Sequence, residues 1–226
     1  MSAFFITATG TDIGKTFVAA GLIRHWRGAG REAEALKPVA TGFNAAATPT
    51  SDAGVLLAAM GRPMAVDEIE KLSPWRFSAP LSPDMAARKE GRTIDFDALV
   101  AFSRNAVAST RDILLIEGIG GVMVPLDEGH TVLDWLAATE IPAVVVTGSY
   151  LGSLSHTLTA LHAMASRGVG VKALVVNETA GSTVPLADTV AALRNFARNI
   201  PIVAIPRVSA EDGSRLAFAE LARLLD

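Results

Sequence analysis

Six short runs along this chain read as strands, at residues 3–8, 32–36, 112–116, 143–147, 171–176 and 202–205. Stretches of helical spacing lie between most of them, at residues 15–27, onward from Ser51 or Asp52, and at 95–108, 153–167 and 184–198. Parallel neighbours need a long return connection, and a helix is the usual one. Strands with wholly apolar interiors, such as Ile113 to Ile116, must be covered on both faces. The predicted fold is therefore α/β, a three-layer arrangement in which helices cover both faces of a mostly parallel sheet, built as one domain over residues 1–226. Residues 41–50 read as a loop, and the stretch 72–83, with Pro74, Pro80 and Pro83, is expected to be irregular.

Composition narrows the partners. Half of the residues are hydrophobic and 19% charged, enough for a large core without staples and too apolar for disorder. A net charge of -3, a pI near 5.8 and the lack of any Lys/Arg cluster argue against nucleic acid and for a small molecule. Zero cysteines exclude a disulfide framework, a thiolate zinc site and a cysteine nucleophile. Residues 1–9 carry no positive side chain, their apolar run is too short for a signal peptide, and no later run approaches the roughly 18 residues of a membrane helix. A cytoplasmic protein with no membrane partner is expected.

The sharpest local signal is Thr9-Gly-Thr-Asp-Ile-Gly-Lys-Thr16, which follows the first strand and opens the first helix. Unpaired N–H groups at a helix start cradle phosphate oxygens, and Gly14 permits the approach. Lys15 would reach the β- and γ-phosphates and Thr16 would bind Mg²⁺. The usual first glycine of such a P-loop falls at position 9, where this chain has Thr9.

With that loop in place, the chain resembles the dethiobiotin synthetase family over nearly its whole length. The opening block is Phe5 to Thr16, and three further blocks agree in order and spacing: Leu36-Lys-Pro-Val-Ala-Thr-Gly42, Ile116-Glu-Gly-Ile-Gly-Gly-Val-Met-Val-Pro-Leu126 and Leu151-Gly-Ser-Leu-Ser-His156. The family commonly has glycine at the position of Ala8, aspartate at Gly10, glutamate at Asp12 and serine at Thr41. The resemblance implies a P-loop NTPase fold and an ATP-dependent, Mg²⁺-requiring ligase. It would close a ureido ring on 7,8-diaminononanoate with CO₂, releasing ADP and phosphate. One amine becomes a carbamate, the γ-phosphoryl group moves to it, and the second amine displaces phosphate.

Transfer between two anions requires converging cations. Lys15 and Lys37 are the candidates. Lys37 ends the second strand, where Pro38 stops it, and is assigned to the carbamate and the moving phosphoryl group; a strand-end lysine can also simply snorkel to solvent. Glu117, after the buried strand and before Gly118, resembles the acidic residue of a Walker B strand. Asp52 is either a third metal ligand beside Thr16 and Glu117 or a helix N-cap. Thr11 and Thr41 would donate hydrogen bonds near the amines and the carbamate, or are turn formers. Asp12 and Ile13 lie in the phosphate loop, where Asp12 would orient a ligand, and Phe17 follows it; Gly118, Ile119 and Gly120 let backbone approach the nucleotide or form an ordinary turn.

For adenine the family's pattern points to Asn177 and Glu178, and to Pro206, Arg207, Val208 and Glu211, although Asn177 could be a turn residue. The substrate's far carboxylate would meet Gly152, Ser153 and Ser155 at a helix start, where helix capping is the plainer role for both serines. The resemblance assigns that helix end to the other subunit of a homodimer. His156 and His162 read as packing or surface residues, and Trp26, Trp75 and Trp135 as core.

Two other classes share the fold. A ParA/MinD-like ATPase switch carries a second lysine where this chain has Gly10, and a basic amphipathic tail, whereas residues 215–226 end in acid. A glutaminase-linked amidase needs a cysteine, and none is present.

Overall fold

The computed structural model describes residues 1–207 and 211–226, with 211–213 described by their backbone alone. The chain opens with β1 (Ser2–Ala8), α1 (Lys15–Gly28), β2 (Ala33–Leu36) and the two-residue β3 (Val39–Ala40). A 3₁₀ stretch over Ala45–Thr50 leads to α2 (Asp52–Met60), α3 (Val66–Leu72), the two-residue β4 (Trp75–Arg76), α4 (Pro83–Lys89) and α5 (Phe96–Ser109). Then follow β5 (Ile113–Glu117), α6 (Val132–Thr139), β6 (Ala143–Gly148), α7 (Ser153–Ser166), β7 (Val171–Asn177), α8 (Leu186–Phe196), β8 (Ile202–Ile205) and α9 (Glu211–Leu225).

The six longer strands form one parallel sheet in the order β2-β5-β1-β6-β7-β8. Strand β1 lies in the middle, with Phe5 paired to Ile116 of β5 on one side and Ala143 of β6 on the other. The chain steps from β1 outward to β2, returns through β5, and then crosses to β6. The carboxyl ends of β1, β5 and β6 thus meet where the strand order reverses, the place an open α/β sheet offers to ligands.

Side chains alternate across the sheet, so each strand supplies both cores. Phe4, Ile6, Ala8, Leu115, Val144 and Val175 belong to one buried cluster with the apolar faces of α1, α2, α3 and α9. Phe5, Leu114, Ile116, Val145 and Leu174 belong to the other, beneath α5, α6, α7 and α8. Trp135 of α6 fills that second layer, edge-on to Phe5 at 4.7 Å, and its indole N–H donates to Ser103 Oγ at 2.9 Å. The three-layer architecture expected from sequence is what forms. Among the described residues no helix is long and apolar enough to cross a membrane.

Helix starts follow local chemistry. Ser51 caps α2 by accepting from Gly54 N–H, which makes Asp52 the first helical residue and frees its carboxylate. Asp95 caps α5, and Thr131 with Asp134 forms a capping box on α6. Gly21, inside α1, lets α9 dock: a Cβ there would overlap the ring of Phe218. Four α-helices, α3, α4, α6 and α9, lie where no element was anticipated, as do the short strands β3 and β4 and the 3₁₀ stretch in the expected loop at 41–50. The first two have seven residues each, too short for a clear period, and Pro83 starts α4 instead of breaking it.

The stretch 72–83 also corrects the expectation of wholly irregular structure. Trp75 and Arg76 pair in parallel with Val39 and Ala40. The donors of this ribbon are Trp75 N–H to Pro38 O and Phe77 N–H to Ala40 O, so Pro74 and Pro80 flank the donor positions without occupying them.

Candidate active site

The turn from β1 to α1 is shaped for an anion. Gly14 holds φ at +102°, Asp12 at +56°, and α1 begins with neither a side-chain cap nor an acidic residue in its first turn. Its leading N–H groups are therefore left to the loop. Gly14 also has no room for a side chain, since a Cβ would overlap Asn177 Nδ2. That amide, at the end of β7, donates to the carbonyl of Ile13 at 2.9 Å and braces the loop from behind.

Two lysines enter the cleft beside it. Lys15, buried at the start of α1, donates to Gly120 O at 2.8 Å and Gly10 O at 3.3 Å. Lys37, 2% exposed just beyond β2, donates to Glu117 Oε1 at 2.6 Å and Gly118 O at 2.9 Å, and pairs with Asp52 Oδ2 at 3.1 Å. Glu117 Oε1 also accepts from the Thr16 hydroxyl at 2.7 Å. Snorkelling is thus not what Lys37 does, and Asp52 serves the cleft rather than capping its helix. Thr11, Thr41 and Ile119 line the same cleft, whose volume is about 340 Å³.

The charges oppose one another in an instructive way. Burial, reinforced by the neighbouring Lys37, lowers the Lys15 pKa to about 8. Burial works on Lys37 too, but Glu117 and Asp52 outweigh it and hold its ammonium above the ordinary value. Asp52 is itself drawn below the usual carboxylate range: the effect of burial is overcome chiefly by the Lys37 ammonium.

The donor set fits a hard divalent cation. Glu117 is fully buried, and its Oε2 has no hydrogen-bond partner, a costly state for a carboxylate oxygen. The Thr16 hydroxyl and the half-exposed Asp52 carboxylate complete an all-oxygen trio of the kind Mg²⁺ takes from protein, while the Lys37 ammonium now supplies the balancing charge. Among the described residues no group of three or more His, Cys, Asp or Glu that could hold a metal ion gathers, here or elsewhere, so the trio depends on the Thr16 hydroxyl as its third oxygen.

A second, mostly apolar cleft of about 370 Å³ opens behind the loop, between Thr9 to Thr11, the segment 121–124 and the His156 face of α7. His156 therefore borders a cleft and also bonds Tyr150 OH at 2.9 Å, whereas His162 is exposed. At the head of α7, Ser153 is 1% exposed and its Oγ has no partner, while Gly152, Leu151 and Ser155 face outward. A chain of hydroxyls ties this helix end to the phosphate loop: Thr9 to Thr147 at 3.2 Å, Thr147 to Thr157 at 2.8 Å, and Thr157 to Ser153 O at 2.6 Å. Thr147 and Thr157 were not singled out in the sequence. The four-residue step from Ser153 to Thr157 is the signal that could have found the last link.

The residues expected around a base are gathered less completely. Glu178 Oε2 accepts from Arg207 N–H at 2.6 Å, and Glu178 N–H donates to Ile205 O at 2.9 Å, which joins the ends of β7 and β8 near Pro206. Phe17 is 45% exposed and meets Phe218 edge-on at 5.6 Å. Val208 lies outside the described residues, as does the side chain of Glu211.

Known proteins resemble this chain. A family model described as an AAA domain matches residues 2–211. The ATP-dependent dethiobiotin synthetase BioD of Acidiphilium cryptum is 54% identical over 190 residues, covering 84% of this chain and 85% of that protein. The enzyme of the same name from Phenylobacterium zucineum is 44% identical over 209 residues, covering 92% and 89%. Among solved structures, the MinC:MinD cell division protein complex of Aquifex aeolicus superposes with a TM-score of 0.61, covering 99% of this chain and 95% of that one. At 15% identity that likeness speaks for the fold alone. With relatives this similar over most of their length, the chain belongs to the ATP-dependent dethiobiotin synthetase family.

Proposed function

We propose that this chain, as one P-loop α/β domain, catalyses the ATP-dependent closure of dethiobiotin from 7,8-diaminononanoate and CO₂. The observation that carries the reading is the convergence of Lys15 and Lys37 on neighbouring carbonyls of one loop, with Thr16, Asp52 and Glu117 around them. The family relatives name the product, and the geometry supports the following assignment of roles.

The N–H groups ahead of α1 and the Lys15 ammonium bind the triphosphate. Thr16, Asp52 and Glu117 would hold Mg²⁺, which when bound neutralises phosphate charge. Lys37 lines the same cleft from the end of β2 and is placed to hold the carbamate and the phosphoryl oxygens as charge develops there. Thr11 and Thr41 border the cleft on the substrate side and can orient the two amines. Asn177, Glu178 and the segment 206–211 are proposed for adenine; Asn177 Oδ1 remains usable while its amide braces Ile13.

The second cleft and the head of α7 suit the aliphatic tail and carboxylate of the diamine. Ser153 Oγ, buried and unpartnered, is the donor that an anion there would use. Leu151 is 91% exposed and Met123 56%, a surface that a second copy of the chain would cover, so the working unit is proposed to be a homodimer in the cytoplasm, where ATP is supplied. Purified protein with Mg-ATP and bicarbonate should release phosphate only when the diamine is added. Brisk release without diamine, stimulated instead by lipid or DNA, would favour a MinD-like switch.

A further inference from the structure

Nothing in the family likeness speaks of Ser73, yet it is as buried as any residue near the cleft, at 0% exposure. It follows α3 directly, and its backbone N–H donates to Ile69 O at 2.8 Å. Its hydroxyl donates to the main-chain carbonyl of Lys37 at 2.5 Å. One residue earlier, Leu72 O accepts the Lys37 N–H at 3.1 Å. Both backbone groups of Lys37 are thus held by the end of α3.

The reason lies in the chain path. Strand β2 ends at Leu36, opposite Ile116, because Pro38 has no N–H to offer the ladder. Lys37 leaves the sheet with both its peptide groups buried and no strand partner, and a buried peptide group must find one elsewhere. Residues 72 and 73 supply the donor and acceptor that the sheet no longer provides. The lysine side chain then starts from a fixed Cα and reaches Glu117 and Gly118.

We infer that Ser73 is a positioning residue for Lys37: its hydroxyl fixes the backbone from which the ammonium reaches the reacting phosphoryl group. This rests on the proposed role of Lys37. Removing the hydroxyl leaves the Lys37 carbonyl without its donor and lets the backbone shift by a fraction of an ångström. Misplacement of that order acts on the chemical step and leaves nucleotide binding, which belongs to the loop between β1 and α1, intact.

The test is steady-state phosphate release with Mg-ATP, bicarbonate and 7,8-diaminononanoate, together with the Kd for ATP, in Ser73→Ala, Ser73→Cys, Ser103→Ala and Lys37→Ala. Ser103 is the control: it is equally buried and its hydroxyl likewise donates to a main-chain carbonyl, that of Leu99 at 2.8 Å, but it does not line the cleft. Ser73→Ala is expected to lower kcat by about tenfold or more with the ATP Kd within about twofold of the parent, and Ser73→Cys, a weaker donor of similar shape, by about threefold or more. Ser103→Ala should keep kcat within about twofold despite any loss of stability. If Ser73→Ala does not fold, Ser73→Cys decides alone. A kcat within about twofold of the parent in the deciding Ser73 variant, with Lys37→Ala inactive, overturns the positioning role while leaving Lys37 in place. Full turnover in Lys37→Ala instead removes the reading beneath it.

Discussion

Lys15 and Lys37 hang from carbonyls two residues apart on a single loop, Gly120 O at 2.8 Å and Gly118 O at 2.9 Å. They approach from different elements, one from the head of α1 and one from the end of β2, and the loop after β5 is what joins them. Their environments diverge. Lys37 has two carboxylates and keeps its proton firmly, whereas Lys15 is bonded to carbonyls only and holds its proton with a pKa of about 8. Only Lys15 can change charge in the ordinary working range.

That asymmetry sets a pH dependence. A triphosphate stabilises the charged Lys15, so binding should take up a proton once the free protein begins to lose it, above about pH 8. Affinity of the metal-free protein for ATP is expected to fall with rising pH above that point, approaching about tenfold per pH unit, and calorimetry in buffers of different ionisation enthalpy should show the uptake. A flat profile between about pH 7 and 9.5 contradicts it. For folding the sign is the reverse of an ordinary lysine pair: burying charged Lys15 costs stability below about pH 8, and the cost is relieved as pH rises toward 10.5. The contribution of Lys37 is fully present below the ordinary lysine value of 10.5 and is lost as pH rises from there through its raised pKa.

Glu117→Gln should weaken both fold and site. The side chain is fully buried against a nearly buried ammonium, and neutralising one member of such a pair typically costs about 3–5 kcal/mol. Asp52, half exposed, remains as partner and should place the loss near the lower end. Guanidinium unfolding measures it; a change below about 0.5 kcal/mol would mean the buried charge is satisfied by Asp52 alone.

Gly14→Ala tests the loop itself. The new methyl would meet Asn177 Nδ2 at a φ of +102° that side chains avoid, so the loop must open. Nucleotide affinity should drop by about tenfold or more while the circular dichroism spectrum stays that of the parent. Unaltered affinity would show that the observed loop geometry is not the binding geometry.

The dimer is tested by charge. Leu151→Asp combined with Leu154→Asp places two carboxylates on side chains 91% and 39% exposed, where a folded monomer tolerates them and an apolar interface does not. Sedimentation should then report monomers, with turnover falling alongside. Dimers that persist through both substitutions would put the contact on another face.

Much of the scaffold was legible because its period is plain. Strands such as β5 and β6 are uniform apolar runs, and the Gly14-Lys15-Thr16 turn can hardly be read apart from the strand before it and the helix after it. Lys37, Asp52 and Glu117 were each visible as polar residues beside a strand or helix end, but the sequence left Asp52 poised between metal ligand and cap. The geometry shows that Ser51 caps and Asp52 pairs with Lys37. What stayed hidden depends on backbone: the carbonyls of Gly118 and Gly120, the Ile13 carbonyl braced by Asn177, and the Lys37 carbonyl held by Ser73 carry no residue-type signal. Helix α9 does carry a period of its own, Ala217, Phe218, Leu221, Ala222 and Leu225 recurring at helical spacing as its buried face, whereas its docking partner at Gly21 shows no residue-type signal.

The most direct measurement follows the carbon. Protein incubated with Mg-ATP, 7,8-diaminononanoate and isotopically labelled bicarbonate should yield dethiobiotin labelled at the ureido carbon, one ADP per label. Lys37→Ala should yield none while still binding ATP. Label appearing at parent rates in Lys37→Ala, or ATP consumed by the parent with no label incorporated, would contradict a phosphoryl transfer to a carbamate held between the two lysines.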